Sequence, residues 1–362
     1  MDMSHYYAMI MAGGGGTRLW PMSRANTPKQ LLALVEEHSM FRVSVERLKP
    51  LFPPERIYIV ASEALAPALK AEVPYIPEEN FVIEPFGKDN GPAAALGLTI
   101  IHKRDPQATV AYLASDHHIA NRAGFQNALT AACELAQQGH IVTLGISPSF
   151  PSTAFGYIRR GAEIGQFAGI TAFTSLGFFE KPDLERAVHF VQSGEYSWNS
   201  GMFIWRAQQA LDEFARQRPE MHRLFTALAP AIDTPAYKDA VTRTWDAVER
   251  ISIDFAVMEG AKSIAVLPVD IGWSDIGSWG ALFDVVALDD RGNGIKGQSP
   301  NHIAIDTTNT LVYADKLVVT VGVNELVVVD TEDALLICHK DRTQDVKKIV
   351  AELKANQLEK YL

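Results

Sequence analysis

At 362 residues the chain exceeds what one hydrophobic core usually organises, so a large domain and a smaller one are expected. With 47% hydrophobic and 21% charged residues it has the make-up of a folded globular protein, which excludes a disordered chain. A formal net charge of −10 argues against nucleic acid or an anionic membrane as the main partner, although a few local cations could still govern a cleft.

The N-terminal apolar stretch, Tyr6 to Ala12, is too short for a secretory leader, and Asp2 stands where a leader would carry a base. No apolar run is long enough to span a bilayer, so the expected location is cytoplasmic. Tyr7 to Met11 reads as a buried strand ending in glycines. Ile57 to Val60, Phe81 to Ile83, Val110 to Leu113 and Ile141 to Leu144 are further strands. Amphipathic segments Met40 to Leu51, Pro92 to Lys103 and Phe125 to Gln137 lie between them. This alternation predicts an α/β fold with a mainly parallel sheet covered by helices, whose ligands bind where strand carboxyl ends meet the loops.

From about Gly156 to Trp205 the pattern turns strand-rich, with Phe173 to Phe179 and Gly201 to Trp205 as inserted strands. Ala207 to about Glu259 reads as helical, and strand Ile264 to Leu267 leads into Trp273-Ser274-Asp275-Ile276-Gly277. Arg291-Gly292-Asn293-Gly294 marks a boundary, giving expected domains 1–290 and 291–362. Beyond it come closely spaced strands: Ile303 to Ile305, Thr310 to Tyr313, Leu317 to Val321, Leu326 to Val329 and Leu335 to Cys338. A final helix carries Val346, Ile349, Val350 and Leu353 on one face, with Thr343 as its N-cap. This small β domain suits packing or assembly rather than chemistry. Cys133 and Cys338 have no metal-type spacing and read as small apolar residues.

Ala12-Gly13-Gly14-Gly15-Gly16-Thr17-Arg18-Leu19 follows the first strand directly. Glycines let a backbone approach an anion closely, yet a tight turn explains a bare glycine run equally well. A phosphate loop of the Walker type needs Gly-Lys-Ser/Thr at its end, and Thr17-Arg18 follows Gly16 instead. A dinucleotide fingerprint starting at Gly13 would need glycine at Arg18, which disfavours an oxidoreductase. What remains is a glycine loop beside two cations, Arg18 and Lys29, the latter stiffened by Pro28.

The extended run Met11 to Arg24, with Trp20-Pro21-Met22-Ser23-Arg24, and then Pro28-Lys29-Gln30-Leu31, resembles the signature of the sugar-nucleotide pyrophosphorylases, in the branch of the mannose-1-phosphate guanylyltransferases. The resemblance implies a Rossmann-like nucleotidyltransferase domain and a β-helix-like C-terminal extension. It implies that Ala12, Gly13, Gly14, Gly15 and Thr17 receive the nucleotide, that Arg18 stabilises leaving pyrophosphate and that Lys29 steadies the α-phosphate.

Leu113-Ala114-Ser115-Asp116-His117-His118 and Trp273-Ser274-Asp275-Ile276-Gly277 each place an acid after a predicted strand. Alone, either aspartate is more often a cap or turn residue. Mg²⁺ takes hard oxygen ligands and commonly one or two carboxylates besides phosphates and water. By the resemblance, Asp116 and Asp275 hold catalytic Mg²⁺, and nearby Asp270 stays outside its coordination. Without a third soft ligand, His117 and His118 suggest a structural or supporting role.

Glu84-Pro85-Phe86-Gly87-Lys88-Asp89-Asn90-Gly91-Pro92 joins a strand to a helix. Guanine presents N1–H and N2–H₂ donors, which Glu84 and backbone near Pro92 could accept, while Glu84 could equally buttress the loop. The segment resembles the family's base-binding loop, which adds Pro85 and Asn90 to the nucleotide contacts. Phe178-Phe179-Glu180-Lys181-Pro182, Trp198-Asn199-Ser200-Gly201 and Phe155-Gly156-Tyr157 resemble its sugar-binding motifs, implicating Gly156, Glu180, Lys181 and Asn199. As an isolated pair, Glu180-Lys181 reads better as an exposed strand-edge ion pair.

The implied activity joins GTP to a sugar-1-phosphate, with mannose-1-phosphate expected and other GDP-sugars as alternatives. Some relatives carry a further isomerase domain, for which the sequence leaves no room after Leu362, so a single activity is expected. The rival from another class is a catalytically silent sugar-nucleotide-binding subunit, which would be expected to lose a phosphate cation or a metal ligand; Arg18, Lys29, Asp116 and Asp275 all remain. A homodimer is one assembly the sequence leaves open.

Overall fold

Short apolar strands flanked by helices bury most surface by stacking side by side, and the first 270 residues do this in one mixed sheet. The computed structural model describes residues 3–297 and 301–362, so Asp2 lies outside the described residues. Its strands are β1 (Tyr6–Ala12), β2 (Ile57–Ser62), β3 (Phe81–Glu84), β4 (Thr109–Ala114), β5 (Ile141–Ile146), β6 (Tyr157–Phe167), β7 (Ile170–Phe179), β8 (Tyr196–Arg206) and β9 (Ile264–Val269). Their order is β3-β2-β1-β4-β8-β5-β9-β7-β6. By contact the chain forms two compact units. One contains the chain up to Gly13, Val45–Ser115 and Ile119–Gly272; the other contains Gly14–Ser44, Asp116–His118 and Trp273–Leu362.

In the first unit β1 to β4 run parallel, so Ala12, Ser62, Glu84 and Ala114 all end at one edge of the sheet. Strand β8 enters antiparallel between β4 and β5, which accounts for the mixed character of the sheet. The sequence reading of 207–259 as helix resolves into three longer helices, α1 (Ala207–Gln217), α2 (Pro219–Leu228) and α3 (Tyr237–Ala247), and the short Ile253–Ala256. Phe214, Phe225 and Trp245 from these helices join Met9, Tyr112, Phe203 and Trp205 of the sheet in one buried core. The helix expected over Met40 to Leu51 stops at Glu46, because Pro50 cannot continue it.

In the second unit, strands β10 (Gly294–Lys296), β12 (Leu311–Tyr313) and β14 (Leu326–Asp330) pair in parallel, with β15 (Leu335–His339) closing antiparallel. The intervening β11 (Asn301–Ile305) and β13 (Leu317–Val321) pair in parallel as a separate sheet. From β10 to β14 successive strands thus alternate between two ladders, the winding of a β-helix. Leu19, Trp20, Leu32 and Met40 share a buried core with Trp279, Leu282, Val327, Val329 and Val346. That core explains why an N-terminal segment belongs to the C-terminal unit.

One expectation for the last helix needs correcting, and its apolar face is only partly covered: Val346 is buried, Val350 and Leu353 are partly so, and Ile349 is exposed. Thr343 sits one turn earlier, inside a 3₁₀ segment (Lys340–Asp345), and Asp345 occupies the N-cap position. The Thr343 hydroxyl is instead drawn inward to Lys340 O at 3.2 Å and Ser278 Oγ at 3.4 Å. No helix among the described residues is long and apolar enough to cross a membrane.

Glu84 closes β3 almost fully buried, and its Oε2 receives no hydrogen bond among the described residues. Burial pushes its carboxyl up from 4.5 to about 7. Because the native pKa lies above the unfolded one, the folded state binds the extra proton between those values, so stability falls as pH rises from 4.5 to about 7. Glu84→Gln should flatten this slope and add about 1–3 kcal/mol at pH 8, with little change at pH 4. Urea unfolding at both pH values checks this; an unchanged pH slope would refute it.

Candidate active site

In the second unit the glycine loop leads into Lys29. Among the described residues other than each glycine's own chain neighbours, no heavy atom lies within 4 Å of where a Cβ would stand on Gly13, which ends the first unit's opening segment, or on Gly14, leaving that backbone open to a ligand. Gly16 is constrained differently: its φ is 60°, and an added Cβ would meet Lys29 Cβ at 2.5 Å. Lys29 opens a 3₁₀ turn (Lys29–Leu31) after Pro28 and is only 7% exposed. Its Nζ lies 2.8 Å from Asp116 Oδ2 and also donates to the main-chain carbonyl of Asp275. Two residues more than 150 positions apart in sequence are thereby tied to one ammonium.

Burial works to raise the Asp116 carboxyl, but the Lys29 ammonium and His117 outweigh it and hold the group below the usual carboxylate range. Asp275 sits in a tight turn where its Oδ1 accepts from Gly277 N–H at 3.1 Å. The next residue, Ile276, has φ 40°, an unfavourable conformation for a β-branched side chain. Complete burial of Ile276 and the bond from Trp279 Nε1 to Trp20 O at 2.9 Å hold that turn in place. Trp273 Nε1 donates to His117 Nδ1 at 3.2 Å, which gives His117 a structural partner. Arg18 directs Nη1 to Gln344 Oε1 at 3.0 Å, while Thr17 is exposed. Asp270 is exposed at the end of β9. Among the described residues no group of three or more His, Cys, Asp or Glu forms a closed metal cage.

The first unit gathers the four sugar-motif residues. A Cβ on Gly156 would lie 2.5 Å from the end of the Glu180 side chain, Oε2, and 3.3 Å from Asn199 Cβ, so a larger residue would push Glu180 aside. Gly156 O accepts from Asn199 N–H at 2.8 Å, and Glu180 pairs with Lys181. Asn199 lies where the β5–β8 register shifts, a bulge of the kind that re-aims a side chain. Its Oδ1 accepts from Gly201 N–H at 3.0 Å, and its Nδ2 donates to Asp254 Oδ1 at 3.1 Å.

Asp254 escapes notice in the sequence because 207–259 reads as continuous helix. The available signal is Ser252, which caps the short helix Ile253–Ala256 and breaks the longer pattern. Burial and the adjacent Glu180 carboxylate push Asp254 up to about 6, against the opposing pull of Lys181. A carboxylate, an amide and an ammonium are thus clustered around Gly156, a set suited to hydroxyls and an anion.

The loop after Glu84 is fastened at several points. Trp245 Nε1 donates to Phe86 O at 2.5 Å, and Lys88 Nζ to Val248 O at 2.7 Å. Asp89 caps the helix Asn90–Arg104 by accepting from Asn90 N–H, and Pro92 is buried in the first turn. Pro85 precedes exposed Phe86. The Asn90 side chain accepts from Ile253 N–H at 2.7 Å, a structural engagement that its sequence position does not reveal.

Comparison with known proteins relates the chain to one family. A model described as nucleotidyl transferase matches residues 7–291, and one described as a MannoseP isomerase/GMP-like beta-helix domain matches residues 300–353. The mannose-1-phosphate guanylyltransferase of Escherichia coli (strain K12) is 38% identical over 367 residues, covering 98% of this chain and 75% of its own. The xanthan biosynthesis protein XanB of Xanthomonas campestris pv. campestris (strain B100) is 37% identical over 371 residues, covering 98% of this chain and 74% of its own. A crystal structure described as mannose-1-phosphate geranyltransferase from Thermus thermophilus is similar with a TM-score of 0.86 at 32% identity, over 97% of this chain and 99% of that one. With both domains matched and the likeness running nearly end to end, the chain belongs to the sugar-nucleotide pyrophosphorylase family, in its mannose-1-phosphate guanylyltransferase branch.

Proposed function

We propose that the protein transfers GMP from GTP to mannose-1-phosphate, producing GDP-mannose and pyrophosphate with Mg²⁺. The observation that carries this reading is the buried Lys29, bound to the Asp116 carboxylate and the Asp275 main chain in the unit that carries the glycine loop from Gly14 onward. The name of the Escherichia coli relative supports the choice of substrates.

The residues present fit Mg²⁺. Asp116 and Asp275 offer hard oxygens, and a two-carboxylate set suits an ion that takes its remaining ligands from phosphates and water. Bound there, Mg²⁺ would neutralise phosphate charge during the reaction. The remaining work falls to the chain. A phosphate oxygen of the sugar-1-phosphate attacks the α-phosphorus of GTP in line. The bond from that phosphorus to the bridging oxygen breaks, and its electron pair leaves with pyrophosphate. No enzyme nucleophile is required, so rate comes from placement and charge.

Lys29 spends two of its three N–H donors on Asp116 and Asp275, leaving one for the α-phosphate. Arg18 spends one N–H on Gln344 and has others for departing pyrophosphate. Glu180 and Asn199 would sort sugar hydroxyls, and Lys181 would meet the sugar phosphate. Guanine recognition would fall to carbonyls of the Glu84–Pro92 loop, because Glu84 itself is buried and readily protonated. A wrong base would strand those acceptors without partners, a strong basis for discrimination.

Pyrophosphate release across GTP, ATP, UTP and dTTP, each with several sugar-1-phosphates, tests the proposal. GTP with mannose-1-phosphate should be the most efficient pair. Equal efficiency with UTP would reject the base assignment, and preference for another sugar with GTP would overturn the product alone. Lys29→Ala and Arg18→Ala should each lower kcat by roughly 10²–10³. A change confined to KM in either variant would make that residue a binding contact with no preference for the transition state.

A further inference from the structure

One short segment joins the loop after β3 to the cluster around Asn199. Gly91 N–H donates to Ile251 O at 3.0 Å, and Ile253 N–H donates to Asn90 Oδ1 at 2.7 Å. On the next residue, Asp254 Oδ1 accepts from Asn199 Nδ2 at 3.1 Å. The other end of that amide is committed to Gly201 N–H, so Asn199 cannot turn without losing a bond. Glu180 lies against Gly156, whose carbonyl holds the Asn199 main chain.

These bonds form an unbroken path through named atoms. Asn90 fixes where the Ile253 backbone lies, the Asp254 side chain leaves from the adjacent Cα, and Asp254 fixes the plane of the Asn199 amide. A ligand that shifts Asn90 therefore shifts Asn199, and a ligand gripped by Asn199 shifts Asn90. The second ligand to arrive finds part of the adjustment it needs already made. Linkage requires the effect to be equal in both directions.

We propose that Asn90 and Asp254 are coupled positioning residues, through which the guanine nucleotide raises affinity for the sugar-1-phosphate and the sugar-1-phosphate raises affinity for the nucleotide. The inference rests on the proposed function, and neither residue is assigned a contact with reacting atoms.

GDP is the suitable nucleotide probe, because it has no pyrophosphate to release and so allows a ternary complex without turnover. Calorimetric titration of mannose-1-phosphate into the Mg²⁺-supplied full chain, with and without saturating GDP, measures the coupling factor. The wild-type factor should be about 10. It should fall below about 2 in Asn90→Ala and in Asp254→Ala, and the double variant should fall no further than either single one. Asn90→Asp keeps an acceptor for Ile253 N–H and should restore the factor. A general packing defect would weaken both ligands and leave their ratio unchanged. If one alanine variant fails to fold, the other with Asn90→Asp decides. A wild-type factor near 1, or a factor that survives both alanine substitutions, overturns the coupling. Failure of the wild-type chain to bind either ligand overturns the functional reading instead.

Discussion

A buried ammonium must find acceptors or lose its charge, and Lys29 finds two that arrive from distant parts of the chain. Asp116 comes directly after β4, and Asp275 comes shortly after β9. Neither needs Lys29 to fold its own strand, but each depends on it for position and, for Asp116, for charge. The requirement runs in reverse too. Without the two oxygens, Lys29 would carry an uncompensated buried charge at the end of a side chain whose Cβ is packed too closely against Gly16 to admit even a methyl group there.

The same logic explains the discontinuous second unit. Residues 14–44 contribute Leu19, Trp20, Leu32 and Met40 to a core otherwise built by the C-terminal part of the chain. That core buries Ile276 in a strained conformation and bonds Trp279 to the Trp20 carbonyl. Hydrophobic burial there holds a turn that its own residues would not choose, and the turn presents Asp275. The small β domain is thus more than an appendage: it shares the packing that fixes a candidate metal ligand.

Much of this is legible in the residues alone. The strands β1 to β5 follow apolar runs whose length leaves little choice, and their order of appearance implies a sheet with its loops at one edge. The glycine loop, Lys29, Asp116 and Asp275 stand out by residue type, although no spacing could reveal that one lysine joins the two acids. Features set by tertiary contacts are hidden. Asn90 looks like a base-loop residue yet its side chain is spent on Ile253, and Asp254 vanishes into a helical pattern until Asn199 is seen beside it. Thr343 has the chemistry of a helix cap, but bonds toward Ser278 and Lys340 take its hydroxyl elsewhere. Local propensity names what a residue can do, and packing selects among the choices.

The account stands on Asp116 and Asp275 acting together as the acids that Lys29 positions. The most direct measurement is the initial rate of pyrophosphate release from GTP and mannose-1-phosphate as a function of Mg²⁺, for Asp116→Asn and Asp275→Asn beside the unaltered chain. The account predicts that both variants stay folded, lose most of their turnover and are not restored by raised Mg²⁺. Near-normal rates in both variants at matched Mg²⁺ would contradict it.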